Sequence, residues 1–190
     1  MDIERVKREN IIDMAWGFSA MTRVFEKTTT RKIVGKLALT LSQIALVKDN
    51  TEFRNLHDNF CRWFADNIRT AERQKDGVVI KESTHASYGQ GAKVLDVALK
   101  VYVYYCHLPN RETAKRITKW LNSAIDTKMM AYLQGLAGGK AVNATSIEQV
   151  KDEDTYTKLQ ALVHKDIERN FPIGTLAVQW DDVKWRELNR

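Results

Sequence analysis

The stretch 88–107 constrains the fold more than any other part of the chain. Its sequence, YGQGAKVLDVALKVYVYYCH, is apolar at almost every position of the helical period. A helix that is apolar on all sides is normally buried, because it has no face suited to water. We therefore predict that residues 88–107 form a buried central helix and that the other helices pack around it.

Five polar side chains, which we call the polar line, interrupt this apolar surface. They are Lys93, Asp96, Lys100, Tyr104 and His107, and their spacing places them along one side of an α-helix. Buried charges need partners, because an unpaired charge in a low-dielectric interior is costly. One interpretation is a salt-bridge ladder of Lys93, Asp96 and Lys100 on a strip that reaches solvent. The other is a cleft in which Lys93, Asp96, Lys100 and Tyr104 bind an anion such as phosphate.

The rest of the chain predicts an all-α protein. Only two prolines and nine glycines occur in 190 residues, and apolar residues recur at helical spacing in many windows. A chain of this length suits one well-packed domain and is short for two. We expect residues 1–190 to form a single-domain bundle of about six to seven helices, with minor strand content. One helix is predicted over 110–135, followed by a glycine-rich loop over 135–143.

The cysteines and the N-terminus indicate the cytoplasm. Cys61 and Cys106 are the only cysteines, and neither belongs to a CxxC pair, so they form no disulfide framework. The first ten residues are mostly charged, unlike a secretory signal, and no apolar run reaches membrane-spanning length. We expect a cytoplasmic protein without membrane association. The sequence leaves the oligomeric state open.

Basic residues outnumber acidic ones, 30 to 24, which gives a net charge of +6. This charge biases the protein toward nucleic acid or another polyanion. Basic residues form three clusters, of which the first is Arg5, Lys7 and Arg8. The other two lie near the starts of predicted helices, and we assign nucleic-acid binding to their residues Arg31, Lys32, Lys36, Lys115, Arg116 and Lys119. If the clusters share one face, they form a surface that binds phosphates with little sequence choice. If they are scattered, the charge only aids solubility.

The central stretch also carries a motif. It resembles a helix of small all-helical bacterial proteins of unassigned function, which have a Tyr-Gly-x-Ala-Gln-Lys-x-x-Asn-x-x-Leu-Lys pattern and end in a tryptophan-containing helix. The matching residues are Tyr88, Gly89, Lys93, Leu99 and Lys100. Ala92 and Asp96 stand where the pattern has Gln and Asn. The resemblance covers the C-terminal half of the chain, and it implies a helical fold without an assigned activity.

We predict no metal site and no cofactor. His57 and Cys61 lie one helical turn apart, and Cys106 and His107 end the central stretch, so four zinc-ligand side chains are present. Adjacent residues on a helix point about 100° apart, however, and a buried cysteine commonly serves as a small hydrophobic residue. The glycines of the central stretch lack the strand and the Lys-Ser ending of a phosphate-binding loop.

Three functions are compatible with these residues. We favour a non-enzymatic protein that binds an anionic partner, above all nucleic acid, through the basic clusters or the polar line. The second is a phosphodiesterase or ribonuclease with Lys100, Tyr104 and His107 as catalytic candidates, a degenerate form of the Arg/His pair in HEPN-type ribonucleases. The third is a protein-interaction adaptor whose five tryptophans supply contact surface.

Overall fold

Eight α-helices and one short β-hairpin make up the part of the chain that the computed structural model describes, which is residues 3–18, 20–136, 138–139 and 142–189. The helices are α1 (Ile3–Phe18), α2 (Thr30–Gln43), α3 (Asn50–Asn67), α4 (Tyr88–Leu99), α5 (Arg111–Thr118), α6 (Thr127–Gly135), α7 (Glu153–Asn170) and α8 (Ala177–Leu188). The strands are β1 (Arg73–Lys75) and β2 (Val78–Lys81), which pair antiparallel. The all-α prediction is confirmed.

Helix α4 is the buried centre of the fold, as predicted. Ten of its twelve residues are buried. Ser87 begins the helix, because its hydroxyl accepts the backbone N–H of Gln90 while the Gln90 side chain accepts the backbone N–H of Ser87. After Leu99 the chain continues as a π-helical segment, Lys100–Tyr105. Its turns are wider than α-helical turns, so the positions that follow do not keep the α-helical register.

Two glycines let α4 approach its neighbours closely. A Cβ atom on Gly91 would lie 2.8 Å from the Cβ of Phe64 in α3, and one on Gly89 would lie 2.6 Å from the backbone oxygen of Ile147. The backbone N–H of Gly89 also donates to the carbonyl of Val150 at 2.9 Å. A side chain at either glycine would force α4 away from these neighbours, because protein interiors are close-packed. The glycines thereby fix where the polar side chains of α4 lie relative to α3.

The buried apolar side chains form one hydrophobic core to which all eight helices contribute. Its largest fully buried members include Trp180 of α8 and Phe53, Phe60 and Phe64 of α3. Burying an aromatic or large aliphatic side chain contributes about 1.5–3 kcal/mol. A single core of this kind is the one expected for a single-domain helical bundle.

The predicted helix over 110–135 needs correction, because the chain forms α5 and α6 there, separated by the segment 119–126. The middle of this segment is buried but not helical. The side chain of Asp126 caps α6, and the backbone N–H of Ser123 donates to the side chain of Gln160 in α7. Such side-chain hydrogen bonds compete with those of a continuous helix. The described residues therefore contain eight α-helices rather than six to seven.

Strand content is small, as predicted. β1 and β2 are joined by Asp76 and Gly77, whose φ angles of 52° and 79° are those of a tight hairpin turn. The predicted loop over 135–143 is described only in part, because residues 137, 140 and 141 lie outside the described residues.

Both cysteines are free thiols, Cys61 buried and Cys106 exposed. Of the helices in the described ranges, none combines the length and the apolar character needed to cross a lipid bilayer.

Candidate functional site

The five residues of the polar line do not form one site. Asp96 contacts α3 and α7, Lys100 contacts α8, and Tyr104 and His107 face α5. Among the described residues, no ion pair joins two members of the line. Both interpretations of the line therefore need correction, because in the described part of the chain Lys93, Asp96 and Lys100 form no ladder, and Asp96, Lys100 and Tyr104 contact different elements.

Asp96 lies in a buried group of hydrogen-bonded side chains, which we call the Asp96 cluster. Its Oδ1 accepts from His57 Nε2 at 3.0 Å, and its Oδ2 accepts from the Tyr156 hydroxyl at 2.6 Å. The Nδ2 of Asn122 lies 3.5 Å from Oδ1. All four side chains are at most 4% exposed. Side-chain hydrogen bonds from three different segments thus hold this carboxylate inside the protein.

The partners of His57 assign its tautomer. Nε2 donates to Asp96, and Nδ1 lies 3.6 Å from the Sγ of Cys61, one turn along α3. Burial raises the pKa of Cys61, so the thiol stays protonated and donates to Nδ1. Both ring nitrogens are therefore occupied. His57 has no free nitrogen with which to act as a general base.

A cavity of about 380 Å³, which we call the polar pocket, opens beside the Asp96 cluster between α3 and α7. Its lining includes Arg54, His57, Asn122, Tyr156, Gln160 and His164. Gln160 Nε2 donates to the Tyr156 hydroxyl at 3.0 Å and to the backbone carbonyl of Ser123 at 2.9 Å. The floor of the pocket is thus a connected network of hydrogen bonds, and such networks hold their members rigidly.

Arg54 is the cation of the polar pocket. Its Nη1 donates to the side-chain oxygen of Asn122, and its guanidinium carbon lies 5.5 Å from the ring centre of Phe53. No ion pair of Arg54 with a carboxylate is present in the described part of the chain. Across the pocket, on α7, burial and the charge of Arg54 lower the pKa of His164, while Glu168 opposes the shift. His164 is therefore neutral at pH 7.

Lys100 belongs to a separate ion cluster, which we call the Lys100 cluster. Its Nζ lies 3.0 Å from Asp181 Oδ2 and 2.6 Å from Asp182 Oδ1. The backbone N–H of Ala124 also donates to Asp181, and the Tyr105 hydroxyl donates to Asp182. Burial raises the pKa of Asp181 to about 6, an effect that Lys100 opposes. The ammonium group of Lys100 is paired with two carboxylates of the same chain, so this cluster has no unpaired cation to bind an anionic ligand.

Lys93 is the third charge of the polar line and is only partly exposed. Burial lowers its pKa, and the carboxylates of Asp126 and Asp181 oppose that shift. It makes no ion pair within the described part of the chain. Its charge is near carboxylates without being bonded to one.

Tyr104 and His107 line an open groove of about 600 Å³, which we call the basic groove. Arg111, Lys115 and Lys119 line it from α5 and the residue that follows it, since residues four apart share a helix face. Within the described part of the chain these three cations make no ion pair, and no carboxylate lines the groove. The structure thus brings two members of the polar line together with two of the predicted basic residues.

The other predicted nucleic-acid-binding residues lie elsewhere. Arg116 is partly buried and donates to a backbone carbonyl just after the C-terminal end of α2. Arg31, Lys32 and Lys36 lie in the first two turns of α2, where Lys32 and Lys36 are 6.0 and 5.3 Å from the ring centre of Trp63. Of the six predicted nucleic-acid-binding residues, Lys115 and Lys119 are therefore the ones that line the basic groove.

The sequence patterns do not single out the residues of the polar pocket. They come from α3, the segment 119–126 and α7, and no motif joins them. One signal was present, since Asn122 and Ser123 interrupt an otherwise apolar run between Leu121 and Ile125. A buried polar pair at such a place implies hydrogen-bond partners from other elements.

The chain matches no protein-family model, no curated protein and no solved structure. Among the described residues, no group of three or more His, Cys, Asp or Glu side chains is placed to hold a metal ion.

Proposed function

We propose that the protein is a non-enzymatic nucleic-acid-binding protein whose basic groove holds a short single-stranded segment. The observation that supports this proposal is the row of three unpaired cations, Arg111, Lys115 and Lys119, beside Tyr104 in one groove without a carboxylate. The net charge of +6 adds long-range attraction for a polyanion.

The dimensions of the groove suit a few nucleotides. From Arg111 to Lys119 the helix rise covers about 12 Å. This length corresponds to about three nucleotides at the ~3.4 Å rise of a stacked strand. Contacts from these side chains to phosphates would position the strand without reading its sequence.

Tyr104 favours a single strand over a duplex. It is half-buried beside the exposed Tyr105, with the two ring centres 5.2 Å apart. Bases of single strands stack on aromatic side chains with little sequence preference. A paired base within a duplex cannot offer its face in this way.

The two alternative functions gain less from the structure. Of the three catalytic candidates, Lys100 is bonded to Asp181 and Asp182 and does not line the basic groove. An adaptor needs exposed tryptophans, but Trp16 and Trp180 are buried in the core and Trp63 and Trp120 are partly buried, which leaves Trp185 as the exposed one of the five.

Binding of a fluorescently labelled single-stranded oligonucleotide, measured by anisotropy as a function of salt, tests the proposal. We expect the logarithm of affinity to fall with the logarithm of salt with a slope of about −2, from about three neutralised phosphates. The triple variant Arg111→Gln, Lys115→Gln, Lys119→Gln should lose this binding. Tyr104→Leu should weaken single-strand binding about tenfold and leave the affinity for a duplex of the same sequence unchanged.

The matched control is the triple variant Arg31→Gln, Lys32→Gln, Lys36→Gln, which removes the same charge from α2 and should keep the affinity. Circular dichroism establishes that each variant is folded. The proposal is overturned if the wild-type protein does not bind at low salt, or if the α2 variant loses binding and the groove variant retains it.

A further inference from the structure

The polar pocket is separate from the basic groove and shares no lining residue with it. We infer that this pocket is a second binding site, for a small organic oxyanion whose carboxylate or phosphate group pairs with Arg54. The inference does not depend on nucleic-acid binding at the basic groove.

Arg54 is held in place for such a ligand. Its guanidinium is fixed by the bond to Asn122 and by the Phe53 ring, so little mobility is lost when it binds. Guanidinium has five N–H donors, and a single hydrogen bond to the protein leaves donors for a two-point contact with an oxyanion.

The negative charges around the pocket do not cancel this cation. Glu153 is the carboxylate of the lining, and it lies 3.3 Å from the guanidinium of Arg62. Asp96 lies behind the floor, where His57 and Tyr156 donate to it. An anion can therefore approach Arg54 from solvent without meeting an unpaired carboxylate of the lining.

The size of the cavity indicates a small ligand. A volume of about 380 Å³ equals that of about a dozen water molecules at ~30 Å³ each. This volume lies at the lower end of the range of small-molecule sites. Beyond the oxyanion, the side chains of Thr157 and Ala161 offer contacts for a small organic body.

The arrangement favours binding over chemistry. The hydrogen bonds of His57 and Tyr156 are made within the protein, to Asp96, Cys61 and Gln160. His57 and Tyr156 are therefore not free to act as a base or nucleophile on a bound molecule. The floor provides instead a rigid surface against which Arg54 is held.

Nuclear magnetic resonance titration with inorganic phosphate, and separately with acetate, tests the inference at constant ionic strength. We expect saturable shifts of the side-chain amide signals of Asn122 and the ring signals of His164. Saturation by phosphate identifies a phosphate-bearing ligand, and saturation by acetate a carboxylate-bearing one. Arg54→Gln should weaken binding about tenfold or more, the loss expected for one charge-assisted hydrogen-bonded contact.

Two further variants keep the test decisive. Ala161→Trp fills the mouth of the pocket at an exposed position of α7 without removing a charge, and it should abolish the shifts. Arg73→Gln removes the same charge as Arg54→Gln from the exposed strand β1 and should leave binding unchanged. The inference is overturned if neither anion gives saturable shifts, or if folded Arg54→Gln and Ala161→Trp bind as tightly as the wild-type protein.

Discussion

Asp96 and Lys100 lie one helical turn apart on the central rod of the fold, yet the protein accommodates their charges in different ways. Side-chain hydrogen bonds from His57 and Tyr156 hold the Asp96 carboxylate, next to a cavity. Two carboxylates of α8 hold the Lys100 ammonium. Because hydrogen-bond donors hold the Asp96 carboxylate, the nearby cation Arg54 is not used up as its counter-ion. The Lys100 ammonium, in contrast, is already neutralised by its two carboxylates.

The largest expected effect tests whether the ion pairs of the Lys100 cluster stabilise the fold. Lys100→Met should lower the free energy of unfolding by about 3–5 kcal/mol, because it leaves the carboxylate of Asp181 buried without its counter-ion. The loss should be greater at pH 8 than at pH 5. The pKa of Asp181 is raised in the folded state, so at low pH the carboxyl is protonated and its burial costs little. As the pH rises through that pKa the carboxyl becomes charged, and the folded protein loses stability. Urea denaturation at the two pH values measures both effects.

Lys93→Met is the matched control for this prediction. Lys93 of α4 is a partly buried lysine like Lys100 of the π-helical segment, but it makes no ion pair within the described residues, and burial lowers its pKa. Its replacement should change stability much less than that of Lys100. Equal losses in the two variants would show that the ion pairs of Lys100 add nothing beyond packing.

The next effect concerns the Asp96 cluster. Asp96→Asn should cost about 2–3 kcal/mol, because the new amide group turns one acceptor into a donor facing His57 or Tyr156. Chemical denaturation followed by tryptophan fluorescence measures this loss. A variant as stable as the wild-type protein would contradict the hydrogen-bonding pattern described for this cluster.

A smaller loss is expected when one donor of the same cluster is removed. Tyr156→Phe deletes the hydroxyl that donates to Asp96 and accepts from Gln160, and it should cost about 1–2 kcal/mol. The Gln160 amide keeps its bonds to Ser123, so the pocket floor should persist. The thermal midpoint measures the change, and a loss as large as that of Lys100→Met would erase the contrast between the two clusters.

The smallest effect lies at the edge of the Lys100 cluster. Tyr105→Phe removes the hydroxyl that donates to Asp182, but the residue is 53% exposed. We expect a change within about 0.5 kcal/mol, as for most surface substitutions. Burial and Asp182 raise the pKa of Tyr105 to about 12. In an ultraviolet titration, the variant should therefore lack the tyrosine that ionises at this high pH.

Much of the fold follows from the local sequence. The apolar stretch 88–107 predicts a buried central helix, of which α4 covers residues 88–99, and the side chains of Ser87 and Asn110 cap α4 and α5. The same local rules fail over 110–135, where apolar spacing continues through a segment that is not helical. Side-chain hydrogen bonds to distant residues determine the conformation of that segment, and the spacing of apolar residues gives no information about such bonds.

The sequence by itself determined the helical class, the central buried helix and the presence of charges on it. Only the tertiary structure decided what each charge meets. Asn122 reaches Asp96 from 26 residues away, and Asp181 reaches Lys100 from 81 residues away. The helical period fixes the direction in which a side chain points, but the partner in that direction depends on how distant helices pack. For this reason one predicted line of polar residues became a hydrogen-bonded cluster beside a pocket, a closed ion cluster and one wall of a basic groove.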